Sequence, residues 1–284
     1  MSSPATPATP ASPATQSDKA SRFLALHVPG TPLLMPNAWD VGSAVLLASL
    51  GFEALATTSG GFATSKGKLD GAMTREQVLT HGAELAGATE VPISADLENC
   101  FAHEPEGVAA TITEAIATGL AGGSVEDFTG NADDPIYELA LATERVRAAA
   151  EAAHRGPIHF VLTARAENYL HGRPDLADTI ARAQAFEEAG ADVIFAPKVD
   201  DPDDLRQLIA AIDIPVSVLA LQNAPTVSEL AQLGVSRIST GGALAVAAYG
   251  ALVTAATELR EQGTYGYWDL TAVGGKAVRH AFSR

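Results

Sequence analysis

The sequence predicts an α/β fold, a (β/α)8 TIM-type barrel in a single domain with a C-terminal helical extension. Three observations carry that prediction. One pattern recurs eight times in about 230 residues: a short apolar run, a few loop residues, then an Ala-rich helical stretch. Helical stretches end in Gly followed by an apolar residue, as in Leu50-Gly51-Phe52, Ala189-Gly190-Ala191 and Leu233-Gly234-Val235, which suits a C-cap leading into a strand. The first strand is followed by Pro36-Asn37-Ala38-Trp39-Asp40, not by the Gly-rich phosphate loop that a doubly wound sheet, the alternative architecture, more often carries there.

Taken in order, the expected strands cover residues 33–35, 54–57, 93–96, 123–126, 158–164, 193–196, 216–219 and 237–239. The helical patterns between and after them cover 41–50, 74–87, 106–118, 136–154, 175–189, 202–211, 226–233 and 243–261. Residues 1–17 repeat Ala, Thr, Pro and Ser and read as a disordered tail without the basic start or apolar centre of a signal peptide. A short helix capped by Ser17 is expected to follow. The barrel is assigned to 18–262, and 263–284 to an extension that covers the barrel or crosses to a neighbouring subunit.

Composition narrows the function. Apolar residues make up 47% of the 284 and charged ones 18%, enough apolar surface for a large core. A formal charge of −16 argues against nucleic acid and anionic membrane surfaces as partners. It also means that any anion site needs local positive charge or a metal. Cys100 is the single cysteine, which excludes an intrachain disulfide and fits a reducing cytoplasm. No apolar run reaches membrane-spanning length.

The chemistry is organised around Val91-Pro92-Ile93-Ser94-Ala95-Asp96-Leu97-Glu98, a buried-strand pattern ending in two carboxylates. Residues two apart in a strand share a face, so Asp96 and Glu98 are expected to converge just past the strand end. Carboxylates that close repel unless a cation or shared proton relieves them. Oxygen ligands without nearby His or Cys favour Mg²⁺ or Mn²⁺ over zinc.

Barrel active sites sit at the C-terminal ends of strands. Those positions hold Asn37, Trp39 and Asp40; Thr58-Ser59-Gly60-Gly61 and, further on, Asp70; Glu126 and Asp127; Arg165 and Glu167; Pro197-Lys198; Gln222-Asn223; and Thr240-Gly241-Gly242. Ser59-Gly60-Gly61 reads either as a tight turn or as a backbone cradle for a carboxylate. Trp39 reads as core or as pocket wall. Arg165 pairs with a neighbouring acid or grips a carboxylate in two-pronged fashion. Thr240-Gly241-Gly242 either binds a phosphate or starts the next helix. The seven histidines show no metal-ligand spacing and are assigned to surface or linker positions. Asp200, Asp201, Asp203 and Asp204 read as a solvated helix start.

Together and in this order, Pro36-Asn37-Ala38-Trp39-Asp40, Ser59-Gly60-Gly61, Ala95-Asp96-Leu97-Glu98, Val125-Glu126-Asp127 and Thr163-Ala164-Arg165-Ala166-Glu167 resemble the isocitrate lyase/phosphoenolpyruvate mutase superfamily, over roughly residues 33–259. The resemblance implies a barrel, usually in tetramers that exchange a C-terminal helix, with Mg²⁺ binding a 2-oxo acid or its enolate. By position, Asp96 resembles the direct metal ligand, and Asp70, Glu98 and Glu126 the acids that hold metal-bound water. Ser59, Gly60 and Gly61 resemble the carboxylate cradle, and Arg165 the carboxylate-binding arginine. The chain also departs from the pattern. Lyases for isocitrate or methylisocitrate carry a Lys-Lys-Cys-Gly-His loop after strand four, and phosphonopyruvate-handling members carry Glu-Asp-Lys. Residues 126–135 here contain neither Cys nor Lys.

The expectation is a Mg²⁺- or Mn²⁺-dependent carbon–carbon lyase or decarboxylase acting on a small 2-oxo or 2-hydroxy (di)carboxylate through a metal-stabilised enolate. Arg165, Glu126 and Asp127 are the catalytic candidates. Trp39, Ser59, Gly60, Gly61, Asp96, Arg165 and Asn223 are the substrate contacts, and Asp96, Asp70, Glu98 and Glu126 the metal site. Two alternatives stay open: a phosphonopyruvate-type hydrolase or mutase, and a non-catalytic 2-oxo acid binding protein. A cytoplasmic homo-oligomer, tetramer or dimer, is expected, with no nucleic-acid or membrane partner.

Overall fold

The computed structural model describes residues 14–283, so residues 1–13 of the expected tail lie outside the described residues. Nine parallel strands form one sheet: β1 (Leu33–Met35), β2 (Asn37–Ala38), β3 (Leu55–Thr57), β4 (Ile93–Ala95), β5 (Gly122–Glu126), β6 (Val161–Arg165), β7 (Val193–Phe195), β8 (Val216–Leu219) and β9 (Arg237–Ser239). Their order is β1-β9-β8-β7-β6-β5-β4-β3-β2. The two end strands are consecutive in the chain, so the sheet curls into the expected barrel.

The ninth strand is the first one divided. Pro36 has no N–H, and the chain changes partners there. Leu34 pairs with Ile238 of β9, whereas Asn37 pairs with Ala56 of β3. The Pro36 carbonyl accepts from the Ala56 N–H at 3.0 Å. Around the barrel lie α2 (Val41–Ser49), α4 (Arg75–Ala88), α5 (Pro105–Ala117), α6 (Leu139–His154), α7 (Leu176–Glu188), α8 (Pro202–Ala210), α9 (Val227–Leu233) and α10 (Ala243–Gln262). Asp201 caps α8 through the N–H groups of Asp203 and Asp204, so the acidic run is a helix start.

Helix α1 (Gln16–Ala25) begins earlier than Ser17, because the cap is Thr15, which exchanges hydrogen bonds with Asp18 in a capping box. The helix closes the N-terminal end of the barrel. Phe23 is fully buried, and a Cβ on Gly122 would stand 2.8 Å from its ring and 2.6 Å from the Val161 carbonyl, so only glycine fits there. Just past the helix, His27 is buried too, contrary to its surface or linker assignment; its Nδ1 lies 2.8 Å from the Phe23 carbonyl. His81 is likewise buried, its ring tilted against that of Phe62, with Nε2 3.1 Å from the Trp39 carbonyl.

Two further helices complete the chain. The short α3 (Ser59–Ser65) stands where a turn was one expectation. Thr58 caps it by accepting from the Gly61 N–H. At the C-terminus α11 (Trp268–Phe282) packs against α2 of the same chain. No described helix is long and apolar enough to cross a membrane.

Candidate active site

Bulky branched side chains usually fill a barrel of this kind. Here Ser94, Ser124, Thr163 and Ser239 stand on the inner wall, and their small size leaves a cavity of about 410 Å³ open at the C-terminal mouth. Five acids line it (Asp70, Asp96, Glu98, Glu126 and Glu167) against two arginines, Arg165 and Arg237.

Arg165, the last residue of β6, is the hub. Its Nη1 lies 2.8 Å from Glu126 Oε1 and 3.2 Å from Asp96 Oδ1, and its Nε donates to Glu167 Oε1 at 2.7 Å. The guanidinium carbon sits 5.1 Å from the Phe195 ring centre, a cation–π contact. Burial opposes its charge, but Glu126, Glu167 and Asp96 outweigh burial and hold it protonated. Both sequence readings of Arg165 therefore describe it: it is paired with acids, and it faces the cavity.

Asp96 is fixed from several sides. Its N–H donates to Thr57 Oγ1, and its carboxylate accepts from the Ser59 N–H at 3.1 Å and the Glu98 N–H at 3.3 Å. Strand β4 ends at Ala95, so strand alternation does not bring Asp96 and Glu98 together as expected. A turn does, with Glu98 in the left-handed region at φ 51°, a strained conformation for a side chain with a Cβ. Leu97 between them is buried in the core. Glu98 Oε1 is buried with no hydrogen-bond partner. Burial, Asp96 and Asp70 push the Glu98 carboxyl up to about 7, against the pull of Arg165. Burial also raises Glu126 well above the usual range, with Arg165 opposing.

An orphaned buried carboxylate oxygen among like charges fits a site that holds a cation. The donors are all oxygens, and among the described residues these acids do not bring three ligand atoms within 4.8 Å of one another. An all-oxygen set suits Mg²⁺ or Mn²⁺, which keep several waters and take one or two carboxylates directly.

The structure gathers Asp70, Asp96, Glu98, Glu126, Arg165, Ser59 and Gly60 around the cavity. Four other expected site residues stand elsewhere. Asp127 follows Glu126 and points outward, since neighbours in a strand face opposite ways; it is buried against Arg182 at 3.0 Å and accepts from the Glu167 N–H. Trp39 packs behind α3, its Cβ 3.0 Å from where a Cβ on Gly61 would lie. Gly61 is a packing position whose N–H serves the helix cap. Asn223 is exposed in the loop after β8. Lys198 is exposed as well, while Pro197 reaches the cavity.

Thr240-Gly241-Gly242 binds a side chain instead of a phosphate. Asn37 Oδ1 accepts from the N–H groups of Thr240 and Gly241, both at 2.9 Å, and Asn37 Nδ2 donates to the Thr57 carbonyl at 2.7 Å.

Two lining residues escaped the sequence reading. His171, assigned to the surface, borders the cavity four positions after Glu167, with Nε2 3.7 Å from Glu167 Oε2 and its ring stacked on Phe128 at 4.0 Å. Burial and the charges of Arg165 and Lys198 lower its pKa, against Glu167. Arg237 lies on the floor, buried, and among the described residues it has no acid partner. Its Nε donates to Ser217 Oγ, and its Nη1 donates to Thr163 Oγ1 and His27 Nε2. Burial and the nearby Arg165 push it down to about 9.

Fold and family together define a (β/α)8-barrel enzyme, and the acid-lined cavity lies at the C-terminal mouth of its barrel. Residues 23–260 match the family model described as phosphoenolpyruvate phosphomutase. The chain belongs to that family, within the isocitrate lyase/phosphoenolpyruvate mutase superfamily. A crystallised Burkholderia cenocepacia J2315 protein, provisionally designated a lyase/mutase, superposes with a TM-score of 0.90 at 49% identity, covering 95% of this chain and 97% of that one. An uncharacterised protein of Mycobacterium tuberculosis (strain H37Rv) is 35% identical over 225 residues, 77% of this chain and 81% of that one. Oxaloacetate decarboxylase of Chromohalobacter salexigens is 29% identical over 260 residues, 87% of this chain and 86% of that one.

Proposed function

We propose that this chain is a divalent-metal-dependent lyase that breaks a carbon–carbon bond in a small 2-oxo dicarboxylate, by decarboxylation or by release of a second carbonyl product. One observation carries the reading: Arg165 and the orphaned Glu98 carboxylate face one cavity in which acids outnumber arginines. A 2-oxo acid meets repulsion in such a cavity until a cation or bound protons offset the acids, and a cation offsets them most fully. Asp96 would hold that ion, with Asp70, Glu98 and Glu126 around it. A bound Mg²⁺ or Mn²⁺ supplies Lewis-acid stabilisation of the charge that develops on the 2-oxo oxygen.

The protein's own groups do the rest. Arg165 fixes a substrate carboxylate, and Glu126 and Glu167 hold the guanidinium in place. In a decarboxylation the bond to the departing CO₂ breaks, its electron pair flows into the 2-oxo group, and the resulting enolate takes one proton at carbon. The cysteine loop that relatives use is absent. His171, stacked on Phe128 with Glu167 3.7 Å away, is the cavity group suited to deliver the proton; Glu126 is the second candidate. Phosphoryl chemistry is disfavoured, because a migrating phosphoryl group needs cations around it and residues 126–137 hold four acids and no base.

The same reading includes a homo-oligomer, since α10 and α11 expose Val246, Leu252, Val253, Trp268, Leu270 and Val273. Light scattering on the purified chain checks that part.

Pyruvate release from a panel of 2-oxo dicarboxylates, with Mg²⁺ and after chelation, tests the activity. Silence across the panel together with Mg²⁺-dependent oxalate binding would favour a non-catalytic binder. Phosphate release from phosphonopyruvate, followed by ³¹P NMR at about 1 s⁻¹ or faster, would establish the hydrolase instead.

A further inference from the structure

The opposite end of the barrel carries a second cluster of metal-ligand side chains, assembled from three elements. His154 is the last residue of α6, His159 lies in the loop that leads into β6, and Asp192 immediately precedes β7. His154 Nε2 lies 3.0 Å from Asp192 Oδ2, and His159 Nε2 lies 2.8 Å from Asp192 Oδ1. The two imidazoles stack at 4.3 Å with planes 12° apart, so both Nε2 atoms face the same carboxylate. One ligand atom from each residue falls within a 4.8 Å cluster.

The carboxylate is held in place independently of the histidines. Asp192 Oδ2 accepts from the Leu162 N–H at 2.7 Å, and the Asp192 N–H donates to the Leu162 carbonyl at 2.9 Å. The Phe160 N–H bonds the Ala153 carbonyl at 3.2 Å and so ties the loop back to α6. The Asp192 side chain is 12% exposed against 29% for His154 and 42% for His159, so the site has a rigid inner ligand and two solvent-reachable outer ones.

We propose that His154, His159 and Asp192 bind one Zn²⁺ or a similar transition-metal ion at the N-terminal face of the barrel, as a site separate from the acidic cavity. Two imidazole nitrogens and one carboxylate oxygen, with an open fourth position for water, match the ligand set that Zn²⁺ takes. Tetrahedral ligands at about 2.0–2.1 Å from the metal stand about 3.3 Å apart. The contacts of 3.0 Å from His154 and 2.8 Å from His159 reach different oxygens of Asp192, and each opens slightly toward that spacing, within a cluster no wider than 4.8 Å. To bind, each imidazole gives its Nε2 lone pair to the ion and keeps its ring proton on Nδ1, any proton on Nε2 passing to solvent. The N-terminal face of such a barrel serves stability rather than catalysis. The ion would clip the end of α6, the loop and the start of β7 together.

Full-length protein carrying Asp96→Ala, which disables the upper site as a competitor, is titrated with Zn²⁺ by calorimetry and followed by thermal unfolding. The expected result is one bound equivalent and a raised Tm, since an ion that binds only the folded state stabilises it. His159→Ala in the same background should weaken binding more than about tenfold and erase the shift, a loss beyond that of an outer-shell partner. His154→Gln should do the same, and metal-free Tm values identify any variant that has lost its fold. Absence of Zn²⁺ binding in the Asp96→Ala protein, or unchanged binding in two folded histidine variants, overturns the assignment.

Discussion

Glu126 Oε1 lies 2.8 Å from Arg165 Nη1, a salt bridge with both side chains about nine-tenths enclosed. Breaking such a pair leaves a buried charge without compensation, so the informative substitution keeps the charge. Arg165→Lys keeps it and loses the planar fork. Oxalate binding in the presence of Mg²⁺ should weaken by about 2–3 kcal/mol, with a much smaller change in Tm. A variant that melts early yet binds oxalate normally would make Arg165 a purely structural residue.

Asp96→Asn preserves shape and removes the charge. Mg²⁺-dependent oxalate binding should disappear in calorimetry while the circular dichroism spectrum stays unchanged. Retained metal-dependent binding would move the site away from Asp96.

His171→Gln should lower kcat by about 10²–10⁴, the usual contribution of a positioned acid or base, and leave KM nearly unchanged. An equal loss in kcat/KM carried wholly by KM would assign His171 to binding and return proton transfer to Glu126.

Acid sensitivity follows from two buried histidines. Burial, with Arg237 beside it, lowers His27 to about 3, and burial, with Lys66, lowers His81 to about 4, both from 6.5. Between those values and 6.5 the unfolded chain binds protons that the folded chain refuses. The histidines' contribution to stability is therefore full above pH 6.5 and falls as the pH drops below it, by up to about 1.4 kcal/mol per pH unit for each. Glu98, raised to about 7, binds protons in the folded state and acts in the opposite direction over the same range. Urea midpoints at pH 7 and pH 5 measure the slope, and His27→Gln should remove about one proton's share of it. An unchanged slope in that variant would show that His27 is not held neutral.

Much of this architecture is legible in the chain because it is repetitive. The eight apolar runs each fell on or beside a strand, since short apolar segments bounded by Gly and polar loops have few other uses. What escaped depended on contacts between distant residues. Helix α3 starts in Ser-Gly-Gly, poor helix formers, and rests on the Thr58 cap and close packing at Gly61. Strand β2 is hidden by Pro36, which reads as a terminator. The outward direction of Asp127 was readable, because strand alternation sends it away from the face of Glu126. His171 was not, because its partners Glu167 and Phe128 meet it only through a loop. Asn223 followed from its place at a strand end, a rule that cannot see which way a loop folds.

Asn37→Ala should leave the N–H groups of Thr240 and Gly241 without their acceptor, at about 1–3 kcal/mol each where water cannot replace it. Urea unfolding reads the loss, and no change in midpoint would mean that solvent takes over the role.

That carboxamide sits where the first strand exchanges one neighbour for the other. At every other boundary the spacing of the wall is set by main-chain ladders, which substitutions other than proline leave alone. At this seam, just past the β1–β9 ladder, the join between the first strand and the loop after β9 is made by the side chains of Asn37 and Thr240. The aperture of the mouth there is accordingly tied to two side chains, a point at which substitution can widen or narrow the entrance without rebuilding a strand.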